Sequence, residues 1–132
     1  DRWLDDPEGA LALLLILDQF PRNAFRGTAH QFATDPLART FAAAAIDRGH
    51  DARVEPALRA FVYLPFEHSE DPADQQRSLQ LFQPLGGEAL DYARLHHDII
   101  ARFGRFPHRN PLLGRTTTPA EDAWLKDGGF AG

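Results

Sequence analysis

The sequence predicts an all-α protein, an array of about six helices packed as antiparallel pairs. Side chains with a free oxygen directly precede proline at the start of helix-like stretches: Asp6-Pro7, Asp35-Pro36, Glu55-Pro56, Asp71-Pro72 and Thr118-Pro119. Such an oxygen can accept an unpaired backbone N–H at a helix start, and proline at the first helical position has no N–H to leave unpaired. No stretch alternates apolar and polar residues over a useful strand length. Because the connections are short, we expect consecutive helices to be antiparallel neighbours.

The predicted helix boundaries follow from these starts and from glycine and proline stops. Pro65 is expected to end or kink the third helix, because proline cannot donate the hydrogen bond of a helix interior. Gly86-Gly87 and Gly104 stop the next two helices, and Gly128-Gly129 stops the last. The predicted helices cover residues 7–20, 36–48, 56–64, 72–85, 88–103 and 119–126.

The first helix is predicted to be the core helix. Residues 10–17 are all apolar, so this segment has no polar face to turn towards water. We therefore expect four of its side chains to be almost fully buried, namely Leu11, Leu14, Leu15 and Ile16.

Composition limits the class of protein. The 132 residues fit one domain, so residues 1–132 are expected to form a single helical domain. The absence of cysteine excludes a disulfide framework, a thiol nucleophile and cysteine-based metal sites. A net charge of −5 argues against nucleic acid as a partner, and the longest apolar run is too short to span a membrane. We expect a cytoplasmic protein, and the sequence does not specify its oligomeric state.

The charges are segregated along the chain. Residues 19–34 and 99–120 contain arginines and no acid, whereas residues 60–76 contain acids and no arginine or lysine. If these three segments meet, arginines in excess over carboxylates would suit an anionic ligand. The alternative is a set of structural ion pairs that ties loops together. We expect Arg22 or Arg26, and Arg105 or Arg109, to lie within ion-pair reach of the acids Glu67, Glu70 and Asp71.

The leading hypothesis is a helical binding module whose Arg-rich site holds a small anion or an acidic peptide segment. Glu67 and Glu70 would orient the arginines, with Arg105 as the scaffold residue and Arg109 as the site residue. One alternative is a hydrolase or lyase in which Glu67 or His68 is the acid or base, and another is a purely structural network. The candidate ligand-binding residues are Arg22, Asn23, Arg26, Glu67, His68, Glu70, Arg102, Arg105, His108, Arg109 and Asn110.

No metal or cofactor is expected. The segment 67–71 is rich in ionisable groups but lacks the spacing that puts ligands on one helical face. No glycine-rich phosphate loop or dinucleotide fingerprint is present in the sequence. His96 lies on an apolar helical stripe and is interpreted as a core histidine.

Three segments carry a resemblance to a known family. They are Leu17-Asp18-Gln19-Phe20-Pro21-Arg22-Asn23-Ala24-Phe25-Arg26-Gly27, Tyr63-Leu64-Pro65-Phe66-Glu67-His68-Ser69-Glu70 and Ile99-Ile100-Ala101-Arg102-Phe103-Gly104-Arg105-Phe106-Pro107-His108-Arg109-Asn110. Together with Gly114-Arg115 and Thr118-Pro119, they resemble the bacterial domain-of-unknown-function 924 family along nearly the whole chain. The resemblance implies an all-helical, tetratricopeptide-like fold and a further helical segment before Trp3. It supplies no activity and no catalytic residue.

Overall fold

A computed structural model describes residues 2–132 of the chain. These residues form helices and connecting turns and contain no strand, so the all-α prediction is confirmed. Short 3₁₀ helices also lie at Arg2–Asp5, Ala29–Phe32, Pro56–Leu58 and Pro107–Arg109. The α-helices are α1 (Pro7–Leu14), α2 (Phe20–Ala24), α3 (Asp35–Asp47), α4 (Ala60–Glu67), α5 (Pro72–Phe82), α6 (Gly87–Phe103), α7 (Asn110–Leu113) and α8 (Pro119–Lys126).

Three of the five predicted helix starts carry the expected side-chain cap. The side chains of Asp6, Asp71 and Thr118 accept a backbone N–H of the first turn at 2.7, 2.9 and 3.1 Å. Asp35 was expected to cap α3 but is its first helical residue, and its carboxylate binds Arg22 instead. A charged hydrogen bond to an arginine competes with capping for the same oxygens.

The first predicted helix is longer than expected and not regular. A π-helical segment, Leu15–Gln19, joins α1 to α2, and the helical path passes Pro21 to reach Ala24. In a regular α-helix the N–H of residue 21 would bond to the carbonyl of Leu17, and proline has no N–H. The hydroxyl of Thr34 donates to that carbonyl at 2.5 Å and so removes the cost of the missing bond.

The burial expected along this helix is only partly correct. Leu14 is 1% exposed, but Ile16 is 50% exposed, and Leu11 and Leu15 are partly buried. The prediction for Ile16 is wrong because α1 packs against α3 and α4 on one side, whereas an apolar sequence alone does not say which side is covered.

Leu14→Ala is expected to lower the free energy of unfolding by about 2–5 kcal/mol, because it leaves a cavity in the core. Urea unfolding of the variant measures this loss. Ile16→Ala is the matched control on the same turn, and its half-exposed side chain should cost less than about 1 kcal/mol. Equal losses in the two variants would contradict the packing described here.

α4 runs through Pro65. Of the two outcomes expected at this proline, an end or a kink, the end is therefore wrong. The helix continues to Glu67 and carries Val62, Tyr63 and Phe66 into the core. Burial of Phe66 beyond the proline, about 1.5–3 kcal/mol, offsets much of the roughly 3 kcal/mol that an internal proline costs. The extension places Glu67 at the end of the helix and His68 immediately beyond it.

Two apolar clusters lie along the helices. The larger cluster joins α1, α3, α4, α5 and α6 and includes Leu14 and Phe82, and the smaller one centres on Ile99, Ile100 and Phe106. Consecutive helices from α3 to α6 contact one another, while a tetratricopeptide-like pairing of these helices stays a prediction. No helix in the described part of the chain is long and apolar enough to cross a membrane.

Candidate functional site

A cleft of about 350 Å³ lies where the three charge-segregated segments come together. The end of α2, the residue after α4 and the 3₁₀ turn Pro107–Arg109 each supply polar side chains to it. Five of the candidate residues and His96 are therefore brought close in space. The polar and aromatic residues around the cleft include Arg22, Arg26, Gln31, Phe32, His68, His96, His108, Arg109 and Phe130.

Arg109 is the most unusual residue of the cleft. Two aromatic rings pack against its side chain, with the guanidinium carbon 4.4 Å from the ring centre of Phe32 and 4.7 Å from that of Phe106. Nη2 donates to the carbonyl oxygen of His68 at 2.9 Å, and the buried Nε has no partner. Arg109 is only 7% exposed, yet it forms no ion pair with any acid among residues 2–132.

The charge of Arg109 persists at neutral pH. Burial lowers the pKa of its guanidinium to about 10, and repulsion from Arg22 adds to the effect. The group is thus protonated at pH 7, and Asp35 and Glu70 stabilise its charge only from beyond ion-pair distance. Buried charges are normally paired, so this arrangement is costly unless an anion completes it.

The other two cleft arginines differ in their pairing. Arg22 donates to both carboxylate oxygens of Asp35 at 2.8 and 2.9 Å and to Asp18 at 3.1 Å. Its charge is therefore compensated within the protein. Arg26 is exposed and, among the residues described, makes no hydrogen bond or ion pair. Arg26 and Arg109 are the two cations left for a ligand.

The π-helical segment places a carboxylate behind one of the cleft imidazoles. Asp18, buried in this segment, accepts a hydrogen bond from Nδ1 of His68 at 2.8 Å. Burial alone would raise the pKa of Asp18, but His68 and Arg22 bring it below its usual value. Burial lowers the pKa of His68 despite the neighbouring carboxylate. The neutral ring therefore keeps its proton on Nδ1 and its lone pair on Nε2.

His96 has the same tautomer for a different reason. Its Nδ1 lies 2.7 Å from the carbonyl oxygen of Tyr92, which can only accept, so Nε2 again carries the lone pair. Burial lowers the pKa of His96 to about 4. Burial, with repulsion from Arg109, also lowers the pKa of His108 to about 4. The interpretation of His96 as a core histidine is right about its burial and missed its place in the cleft.

Glu67 does not orient the arginines, contrary to the expectation from the sequence. It is 3% exposed, its Oε1 has no partner, and its Oε2 lies 3.8 Å from Nδ1 of His96. Burial raises its pKa to about 8, and the nearby charge of Asp18 contributes. Glu67 is therefore largely protonated at pH 7. The acids that hold Arg22 are Asp18 and Asp35, which the sequence analysis did not select.

Glu70 binds none of the four arginines proposed for it. It pairs with Arg115 at 2.7 and 3.1 Å and accepts the backbone N–H of Phe106 at 2.6 Å. Arg115 also donates to Oδ1 of Asn110 at 2.9 Å, so Asn110 braces the loop. The ion pairs expected for Glu70 do not form, because Arg115 binds both oxygens of its carboxylate in the folded loop.

Three further candidate residues lie outside the cleft. Arg105 binds the buried Glu121 through two hydrogen bonds of 2.8 and 2.7 Å, consistent with its predicted role in the scaffold. The Arg102 guanidinium packs over the ring of Phe103 at 4.8 Å. Asn23 is exposed and donates to a backbone carbonyl of its own helix.

Two glycines shape the loop that carries Arg109. Gly104 ends α6 with a φ of 74°, and Gly114 ends α7 with a φ of 67°. Both values lie in the left-handed region that favours glycine. The chain can therefore reverse after each helix and present Pro107–Arg109 to the cleft.

Comparison with known proteins identifies the family. The family model described as "Bacterial protein of unknown function (DUF924)" matches residues 1–129. The chain belongs to the DUF924 family. A solved structure of a protein of unknown function from Agrobacterium tumefaciens is 62% identical to this DUF924 chain, with a TM-score of 0.96. The match covers 97% of this chain and 73% of the Agrobacterium chain. No curated protein matches the sequence.

Membership of DUF924 confirms the resemblance and leaves the chemistry of the cleft to be argued from its residues. The sequence contained one signal for the missed Asp18, since it precedes Arg22 by four residues and such pairs meet on a helix. Phe32 and Phe130 carried no comparable signal. Their contribution depends on contacts between distant parts of the chain.

Proposed function

We propose that the protein binds a small anion in this cleft, with Arg109 as the central cation and Arg26 at the rim. The observation that carries the proposal is the burial of Arg109 without an acidic partner. The rings of Phe32 and Phe106 pack against its guanidinium, and a ligand would bind its N–H edge. Guanidinium edges are suited to carboxylate and phosphate oxygens.

The size and chemistry of the cleft favour a small molecule over a peptide. A volume of about 350 Å³ is at the lower end of small-ligand pockets. Three neutral imidazoles and aromatic rings line it beside the free arginines, and the described lining residues include no acid. The proposal includes a cytoplasmic location and no role for nucleic acid, in keeping with the net charge of −5.

The binding proposal is tested by NMR titration of the protein with inorganic phosphate and with acetate. Arg109→Met retains an unbranched apolar stem between the two rings and removes the charge. Its dissociation constant for either anion should rise at least about tenfold, a loss typical of a charged hydrogen bond. Arg102→Met, which removes an arginine outside the cleft, is the matched control and should bind as the native protein does. Equal affinities of both variants would overturn the proposal.

The same variant separates a binding residue from a structural one. Because Arg109 has no acid to leave stranded, Arg109→Met should change the free energy of unfolding by less than about 1 kcal/mol. Urea unfolding of Arg109→Met and Arg102→Met provides the comparison. A loss of about 3–5 kcal/mol in Arg109→Met alone would favour the structural-network alternative.

A second candidate function, an acid–base enzyme, is favoured by the hydrogen bond between Asp18 and His68. A carboxylate behind an imidazole fixes its tautomer and orientation, as in general-base catalysis. His68 is then the base, and Glu67, which does not line the cleft, is not. Incubating a panel of anionic metabolites with the protein at pH 7 should reveal turnover by NMR that His68→Phe abolishes. Turnover unaffected by this substitution would exclude the role of His68.

A further inference from the structure

Two hydrogen-bond acceptors share the cleft with the free arginines. Nδ1 of His68 donates to Asp18 and Nδ1 of His96 donates to Tyr92, so each ring has only its Nε2 lone pair left. The ring centres lie 6.2 Å apart, and both rings line the cleft. Burial lowers the pKa of both imidazoles, which keeps them neutral acceptors at neutral pH.

The presence of free arginines and neutral imidazole acceptors in one cleft restricts the chemistry of the ligand. A carboxylate or a sulfate carries only acceptor oxygens, which suit the arginines and leave the imidazole lone pairs without a donor. An unmatched acceptor in a largely dry site costs affinity. A ligand that matches both kinds of group therefore carries a negative charge and, close to it, an O–H donor.

His68 is the acceptor-bearing residue that is hydrogen-bonded to Arg109. The guanidinium of Arg109 is bonded to the backbone carbonyl of His68, which ties the main cation to the residue that carries the acceptor. A donor on the carbon next to the anionic group is the most compact arrangement that can address both the guanidinium and the imidazole. Phe130 and Leu112 provide apolar lining for the remainder of such a molecule.

We propose that the ligand class is the 2-hydroxycarboxylates, with the carboxylate on Arg109 and the hydroxyl donating to Nε2 of His68. The inference rests on the proposed anion binding and adds a selectivity that anion binding alone does not require. It involves no chemical step, because the hydroxyl only donates a hydrogen bond. It applies equally to a bound ligand and to a substrate.

The test compares ligands that differ only in the hydroxyl group. The native protein is titrated at pH 7.5 with glycolate and acetate, and with lactate and propionate, and the shifts of the cleft amides are followed by NMR. We expect each hydroxy acid to bind roughly tenfold more tightly than its partner, the gain of about one well-placed hydrogen bond.

His68→Phe should reduce this preference to less than about twofold, because the guanidinium remains and only the acceptor of the hydroxyl is lost. The variant should fold, since Asp18 keeps its hydrogen bonds from Arg22 and Gln19. His97→Phe, which removes an imidazole outside the cleft, is the matched control and should retain the preference. His96→Phe conserves the ring contacts with Phe106 and Phe130 and tests the other acceptor.

The outcomes distinguish this inference from the function it rests on. Equal binding of glycolate and acetate by the native protein overturns the 2-hydroxycarboxylate inference and leaves anion binding intact. Absence of binding by all four acids and by phosphate overturns both. A preference that survives in His68→Phe and disappears in His96→Phe overturns the assignment of the hydroxyl to His68. The titrations of the native protein decide the ligand class even if a variant does not fold.

Discussion

Glu67→Gln is expected to raise the free energy of unfolding at pH 9 by about 3–5 kcal/mol. Glu67 is buried, and its pKa is raised to about 8, so the folded protein must ionise a desolvated carboxyl group above that pH. Glutamine has nearly the shape of the protonated acid and carries no charge at any pH. Urea unfolding of both proteins between pH 5 and pH 9 measures the difference.

The sign of the pH dependence follows from the pH at which Glu67 loses its proton in the unfolded and in the folded state. The unfolded chain loses it near pH 4.5 and the folded protein near pH 8, so between these values the folded state holds more protons. Stability from this group is complete below about pH 4.5, declines as pH rises to about 8 by up to about 1.4 kcal/mol per unit, and is then constant. In Glu67→Gln this decline should disappear. Glu55→Gln, at an exposed position, is the control and should retain it.

The cleft histidines give the opposite dependence. The folded pKa of His96 and His108 is about 4, below the ordinary value of 6.5, so the unfolded chain binds protons first as pH falls. Their contribution is complete above about pH 6.5 and is lost as pH falls towards 4. The native protein should therefore be most stable near pH 6.5. An alkaline decline that persists in Glu67→Gln would contradict the assignment to Glu67.

Arg115→Ala is expected to lower the free energy of unfolding by about 2–4 kcal/mol. Arg115 donates to Glu70, to Asn110 and to the carbonyl of Phe106, and its removal leaves all three acceptors short of a donor. Chemical unfolding at pH 7 measures the loss. Arg102→Ala should cost less than about 0.5 kcal/mol, because its side chain is exposed. A loss below 1 kcal/mol in Arg115→Ala, roughly that of a neutral hydrogen bond, would show that this residue does not brace the loop.

The parts of the fold that were predictable depend on local chemistry. The starts at Asp6, Asp71 and Thr118 need only a side-chain oxygen and the proline that follows it. The helical paths through Pro21 and Pro65 depend on distant groups. One needs the hydroxyl of Thr34, and the other needs a core that α4 helps to fill. Predicting helix ends from the positions of the prolines alone therefore misplaced the helix boundaries at Pro21 and Pro65.

In the candidate site, too, some features were predictable from the sequence and others depended on contacts between distant residues. Charge segregation was enough to predict that the three segments meet, and distance from the end of α6 was enough to separate Arg105 from Arg109. The acids that bind each arginine were predicted wrongly. Ion pairs are chosen by the folded geometry, and the acids that Arg22 selects, Asp18 and Asp35, lie outside the acidic segment.

The long-range hydrogen bonds of Arg109 and His68 favour late formation of the cleft during folding. The hydrogen bonds from Arg109 to His68 and from His68 to Asp18 join residues 41 and 50 positions apart. Closing such long loops is slow compared with forming the local helices, so the cleft assembles late. An anion that binds only the assembled cleft therefore acts mainly on the unfolding rate. Such a ligand would lengthen the lifetime of the folded chain and leave its folding rate almost unchanged.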